Sequence, residues 1–128
     1  MSNTNKHRSS CPLASALDLF GDKWSLLIVR DLIYFDKRSF KEFELSWERI
    51  PTSTLADRLS KLESLGVISK KLYQKRPARY QYLLTEKGLT LIPAIKAMTL
   101  WGQEHIESTI EVVKVSNGVE TLVAPSEK

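Results

Sequence analysis

What this chain has little of narrows its chemistry before any motif is read. Its 128 residues contain one cysteine, Cys11, which excludes an intrachain disulfide and a multi-cysteine metal site. The two histidines, His7 and His105, are too far apart in sequence to establish a metal-ligand spacing or a base for Cys11. No glycine-rich phosphate loop is built from the five glycines. No run of about eighteen apolar residues occurs, and no long apolar stretch follows the basic residues near the start. Membrane spanning and secretion are therefore not expected, and a reducing cytoplasm is the expected compartment. No catalytic residue, cofactor or metal is expected either.

Apolar residues make up 42% of the chain and charged residues 27%, an ordinary globular balance sufficient for one compact domain at this length. The net charge of +4 and the pI near 9.2 suit a polyanionic partner, but they also describe a merely basic soluble protein. The location of the charge is more informative than its sum.

Residues 1–10 are polar and read as an arm, in which Lys6, His7 and Arg8 are either solvated or near phosphate. Residues 11–108 carry the folded pattern, and 109–128 read as a tail or a short hairpin with an Asn117-Gly118 turn. Leu13, Ala16, Leu17 and Phe20 recur at helical spacing after Pro12, and Gly21 ends that segment. A broader apolar helix is predicted over Lys23 to Tyr34. Ser39 and Glu42 have the offset of a capping box, with Phe40 and Phe43 in the short helix they start. Trp47 and Ile50 read as core pins in the turn that follows.

The next helix is predicted from near Thr52 to Leu65, with Leu55, Leu59, Leu62 and Leu65 inward and Gly66 as its stop. Ser53, Thr54, Asp57, Arg58 and Lys61 then remain for base edges and phosphates, because a helix can enter the major groove while its apolar stripe stays on the core. Two strands follow, the first from Val67 to Tyr73 and the second carrying Tyr80, Tyr82 and Leu84 at alternate positions. Lys70, Lys71, Lys75, Arg76 and Arg79 fall in this hairpin with no acid among them. They are either a solvated turn or a wing that follows phosphates, with Arg76 or Arg79 near the minor groove. The expected fold is mainly α with a small antiparallel β wing: a winged helix-turn-helix.

Thr85 is the expected cap of a long final helix, in which Pro93 introduces a kink or a fresh start. Its apolar residues cover more of the circumference than one small core needs, so a helix-mediated homodimer is expected, with Leu13, Leu17, Leu91, Ile95, Met98 and Trp101 at the seam. Cys11 lies at a helix start, where a thiolate is favoured, and is either a sensor or a small hydrophobe at that seam.

These motifs resemble the HxlR-type winged-helix regulators of bacteria, within the MarR-like superfamily. The similarity is carried by Cys11-Pro12-Leu13, by Ala16-Leu17-Asp18-Leu19-Phe20-Gly21-Asp22-Lys23-Trp24, by Leu26-Leu27-Ile28 and by Arg30-Asp31-Leu32. It continues through Arg38 with Phe40, Leu55 with Arg58-Leu59, Leu62-Glu63, Leu65-Gly66-Val67 and Tyr80-Gln81-Tyr82-Leu83-Leu84-Thr85-Glu86-Lys87-Gly88, covering residues 11–102. The resemblance implies a dimeric regulator of transcription, more often a repressor, that reads inverted repeats in double-stranded DNA with a helix near 52–65 and a wing near 67–84. It also implies that a cysteine at the matching position can sense oxidants or electrophiles. Cys11 would then be alkylated by an electrophile or, with an oxidant taking up two electrons, form a disulfide with a low-molecular-weight thiol or its symmetry mate. Two departures concern specificity: Pro51-Thr52 replaces a serine-led helix start, and Asp57 replaces an amide. A carboxylate can accept from cytosine N4 or orient Arg58 or Lys61. Other readings are a regulator with an aromatic ligand held by Trp24, Tyr34, Phe35, Phe43, Trp47 and Trp101, and a winged helix used only for protein contacts.

Overall fold

The protein is described by a computed structural model covering residues 8–35, 38–116 and 119–122. Lys6, His7, the Asn117-Gly118 turn and Val123 lie outside the described residues. The elements run α1 (Pro12–Phe20), α2 (Ser25–Tyr34), α3 (Phe40–Glu44), α4 (Thr52–Ser64), β1 (Ile68–Lys75), β2 (Ala78–Leu84), α5 (Glu86–Leu89), α6 (Ile92–His105), β3 (Val113–Ser116) and β4 (Val119–Leu122). The fold is mainly helical with a small antiparallel wing, β1–β2, directly after a helix-turn-helix, α3–α4. No helix among the described residues is long and apolar enough to cross a membrane.

Local chemistry accounts for most of the boundaries. The Ser39 hydroxyl accepts from the Glu42 amide while the Glu42 carboxylate accepts from the Ser39 and Arg38 amides, so both halves of the capping box at α3 are made. α4 begins at Thr52 after Pro51 without a side-chain cap; the Thr52 hydroxyl instead donates to Glu44 at 2.9 Å and ties the two helices together. Gly66, at φ +78, turns the chain out of α4 into β1, a conformation an L side chain rarely takes. The helix predicted over Lys23 to Tyr34 starts two residues later, at Ser25.

The core is formed by Ile28 and Val29 of α2, Phe43 of α3, Ile50, the α4 stripe Leu55, Leu59 and Leu62, the wing root Val67 and Ile68, and Ile95 of α6. Trp47 is only half-buried and packs on Phe35, with ring centroids 5.6 Å apart. The single long helix expected after Thr85 is in fact two pieces. Thr85 does cap α5 by accepting from the Gly88 amide, but the chain breaks at Thr90-Leu91 and restarts with Pro93 in the first turn of α6. This break turns Leu91 and Ile95 toward the chain's own core, with Ile95 only 7% exposed, so neither supplies the outward apolar surface expected of them. Leu13, Leu17, Met98 and Trp101 remain exposed.

The wing root is held by three residues at the start of α5. The Thr85 hydroxyl donates to the Gly66 and Val67 carbonyls, Lys87 Nζ donates to the Leu65 carbonyl at 2.7 Å, and Gly88 lies so close that an added Cβ would stand 2.1 Å from the Val67 oxygen. The Tyr82 amide also donates to Arg38 at 2.7 Å, which joins β2 to the start of α3. Among the described residues beyond α6, β3 and β4 pair antiparallel, with Val113 opposite Leu122 and Ser116 opposite Val119.

Candidate nucleic-acid interface

With Leu55, Leu59 and Leu62 buried, the opposite face of α4 is fixed by helical geometry. It exposes Ser53, Ala56, Asp57 and Ser60, while Thr54, Arg58 and Lys61 lie on its flanks and are half-buried. Ala56 and Ser60 were not among the predicted contacts. Both could have been found as the complement of the leucine stripe, and small side chains there allow the helix to approach a groove closely; an alanine methyl also suits a thymine methyl.

Arg58 is not a free cation. Its Nε donates to Asp22 Oδ2 at 3.0 Å and its Nη1 pairs with Asp57. Asp22 also accepts from the Trp24 amide at 3.0 Å, the Ser25 amide at 2.9 Å and the Ser25 hydroxyl at 2.6 Å. Burial alone would raise the Asp22 carboxyl pKa, but the hydrogen bonds from Ser25, Trp24 and Arg58 outweigh it and hold that carboxyl far below the ordinary range. One carboxylate therefore starts α2 and grips α4. Asp57, expected to orient Arg58 or Lys61 or to read a base, pairs with Arg58.

A second arginine braces the same unit. Arg30 of α2 makes a two-pronged pair with Glu48 at 2.8 Å on each prong, bonds buried Asp31 at 2.7 Å, and lies over the Phe35 ring. Arg30 loses from desolvation but gains more from Glu48 and Asp31, so its pKa is raised, while the pairing lowers that of Glu48.

The wing cations do not form one surface. In the β1–β2 register Ile68 opposes Leu84, Lys70 opposes Tyr82 and Leu72 opposes Tyr80, whereas Ser69 opposes Leu83 and Lys71 opposes Gln81. Lys70 and Lys71 thus point to opposite faces, because consecutive strand residues alternate. Lys70 and Lys71 in β1 and Arg79 in β2 belong to the strands, not to the connection; only Arg76 and Pro77 form the tip. Past a bulge at Tyr73, Lys75 opposes Ala78, and Gln74 Nε2 donates to the Arg76 and Pro77 carbonyls at 3.3 Å, which ties the tip down. Lys70 Nζ lies 4.7 Å from the Tyr80 ring centroid. All five predicted cations are exposed.

A helix-turn-helix followed by a hairpin is also what the sequence matches: the HxlR-like helix-turn-helix family model covers residues 19–110. The chain belongs to this family. As an HxlR-like protein it is a winged-helix, DNA-binding regulator, from a family of transcription factors and not of enzymes. It is 38% identical over 95 residues to the HTH-type transcriptional regulator YdeP of Bacillus subtilis, covering 74% of this chain and 73% of YdeP. Against three mycobacterial regulators the match spans 56% of their length. Among solved structures, PA1607 has a TM-score of 0.71 at 33% identity, covering 91% of this chain and 82% of that one. Reduced HypR, a redox regulator, has a TM-score of 0.69 at 31% identity, covering 76% of this chain and 95% of HypR.

The family span starts after Cys11, which in this HxlR-like chain is the exposed N-cap of α1. The Cys11 amide donates to the Ser9 hydroxyl at 2.9 Å. Arg8, read from the sequence as either solvated or near phosphate, pairs with Asp18 at 2.7 Å and reaches the Ala14 carbonyl. The six aromatics predicted to surround a ligand do not gather. Phe43 is in the core edge-on to Tyr82, Trp101 is exposed beside His105, and Tyr34 and Trp47 line a cleft of about 400 Å³ between α2 and α6, with Phe35 packed on Trp47. No group of three or more metal-ligating side chains occurs among the described residues.

Proposed function

We propose that this HxlR-like chain is a homodimeric repressor that sets two copies of α4 into the major groove at the half-sites of an inverted repeat. The observation that carries this reading is the outward face of α4, where Ser53, Ala56, Asp57 and Ser60 are exposed directly opposite a fully buried leucine stripe. Hydroxyls and a small methyl read base edges; Thr54 and Lys61 flank them. Lys75 and Arg76 at the wing end, with Lys70, Lys71 and Arg79 along its two faces, supply sequence-independent attraction to phosphate. The outward Leu13 and Leu17 of α1 and Met98 and Trp101 of α6 form the dimer seam. Cys11 is the point of control: it is an exposed thiol at a helix start, and HypR, a redox regulator, is among the relatives. An oxidant or electrophile would modify Cys11 and change the spacing of the two reading helices.

The test begins by selecting bound fragments from genomic DNA with purified protein. The selected duplex and a scrambled duplex are then titrated against salt. Ser53→Ala combined with Ser60→Ala should lose discrimination between the duplexes, by about 10-fold or more if two base contacts are removed. Lys75→Ala combined with Arg76→Ala should weaken both duplexes alike and flatten the slope of log K against log salt by up to about 1.8. Cys11→Ser should bind as the wild type does but keep its DNA in the presence of diamide. Equal, sequence-independent losses in the first two variants would overturn the division of labour, and release of Cys11→Ser by diamide would overturn the sensor.

A further inference from the structure

We propose that Asp22 is a positioning residue for DNA recognition: it holds Arg58 back from the phosphates and fixes how far α4 is rolled about its axis. The inference rests on α4 being the reading helix.

Three observations carry it. First, Arg58 lies on the flank of α4 between the buried leucines and the exposed face, the place from which a guanidinium would reach a phosphate beside the groove. Second, the same guanidinium is shared by two carboxylates, Asp22 across the fold and Asp57 beside it, leaving a local excess of negative charge. Third, Asp22 is itself fixed. The two backbone amides and the hydroxyl at the start of α2 converge on it, and its side chain is only 22% exposed.

A carboxylate gripped in this way does not swing out with its arginine when DNA arrives. To turn its Nε edge to a phosphate, Arg58 would have to leave a charge-assisted bond at 3.0 Å to a carboxylate that already accepts three hydrogen bonds from the start of α2. Arg58 is therefore used as a brace. It joins residues 36 apart in sequence, the start of α2 and the middle of the reading helix. The brace presents Ser53, Ala56 and Ser60 outward, which favours the right sequence over the rest, and it removes one general phosphate contact, which lowers affinity for every sequence alike. Asp57, the neighbour of Arg58 on α4, adds a second restraint.

The experiment uses the full-length protein, the selected duplex and its scrambled counterpart, each titrated over a salt series. Arg58→Ala should leave the salt slope as in the wild type while reducing discrimination, because the lost group was not on phosphate. Asp22→Asn should do the opposite to the slope. Its released Arg58 adds a phosphate contact, so the slope steepens by about 0.9 and scrambled DNA is bound several-fold more tightly. Asp22→Asn combined with Arg58→Ala should return the slope to the wild-type value. Circular dichroism reports whether each variant is folded; Arg58→Ala, which removes no core group, decides the matter even where Asp22→Asn does not fold. A slope that flattens by about 0.9 in Arg58→Ala would place Arg58 on phosphate and overturn the proposal. So would an Asp22→Asn protein that is folded and shows unchanged slope and discrimination. Failure of the wild type to tell the two duplexes apart would instead remove the reading-helix assignment, a result visible before any variant is compared.

Discussion

At the scale of single residues, the polar partners that shape this chain lie either one turn away, as at Ser39 and Thr85, or across the fold, as between Asp22 and Arg58. The Ser39–Glu42 box and the Thr85 cap are legible because donor and acceptor are three residues apart. Asp22 is visible only as part of a motif, since nothing in its neighbourhood announces Arg58. Asp57 is adjacent to Arg58 in sequence, so their pairing was among the expected readings, whereas the Arg58–Asp22 bond spans 36 residues. Asp22 also gives a pH dependence whose sign is fixed. Its carboxyl is held below its ordinary value of 3.8 in the folded chain, so as pH falls the unfolded chain takes up the proton first. Its stabilisation is complete at pH values well above 3.8 and drains away as pH falls below that value. The melting temperature of Asp22→Asn should accordingly lie below that of the wild type at about pH 7, with the gap closing as pH falls from about 4 toward 2. A gap that stayed constant over that range would contradict the assignment.

At the scale of elements, periodicity placed α4 and the wing well, because the leucine stripe and the alternating tyrosines are strong one-dimensional signals. It failed where tertiary contact overrides pattern. The apolar run after Thr85 looks like one helix, yet Gly88 must fit against the Val67 carbonyl and the chain turns at Thr90-Leu91 to carry α6 back over the core. A list of lysines likewise does not show that Lys70 and Lys71 face opposite ways; that requires the register. Gly88→Ala should force the wing root and α5 apart, costing about 1–3 kcal/mol by overpacking. Urea denaturation would measure it, and weakened binding of both selected and scrambled duplex should accompany it because the wing is displaced. A variant as stable as the wild type would show that the root can yield.

At the scale of the whole molecule, composition indicated a basic protein with one core, and the family match supplies its class. Which apolar residues face outward was the part least legible, because the helical stripe of α6 serves its own core on one side and leaves Met98 and Trp101 on the other. Met98→Glu combined with Trp101→Glu should give a folded monomer by sedimentation velocity, with DNA binding lost or greatly reduced; a dimer in that variant would move the seam elsewhere. The pinned base of β1–β2 has a mechanical corollary. Eight strand residues at about 3.3 Å each make a lever roughly 26 Å long, so a tilt of about 4° at its fulcrum carries Arg76 nearly 2 Å, which on the proposed reading is enough to lose one phosphate contact. On that reading, Lys87, Gly88 and their neighbours at the root set the aim of the wing from a full strand's length away.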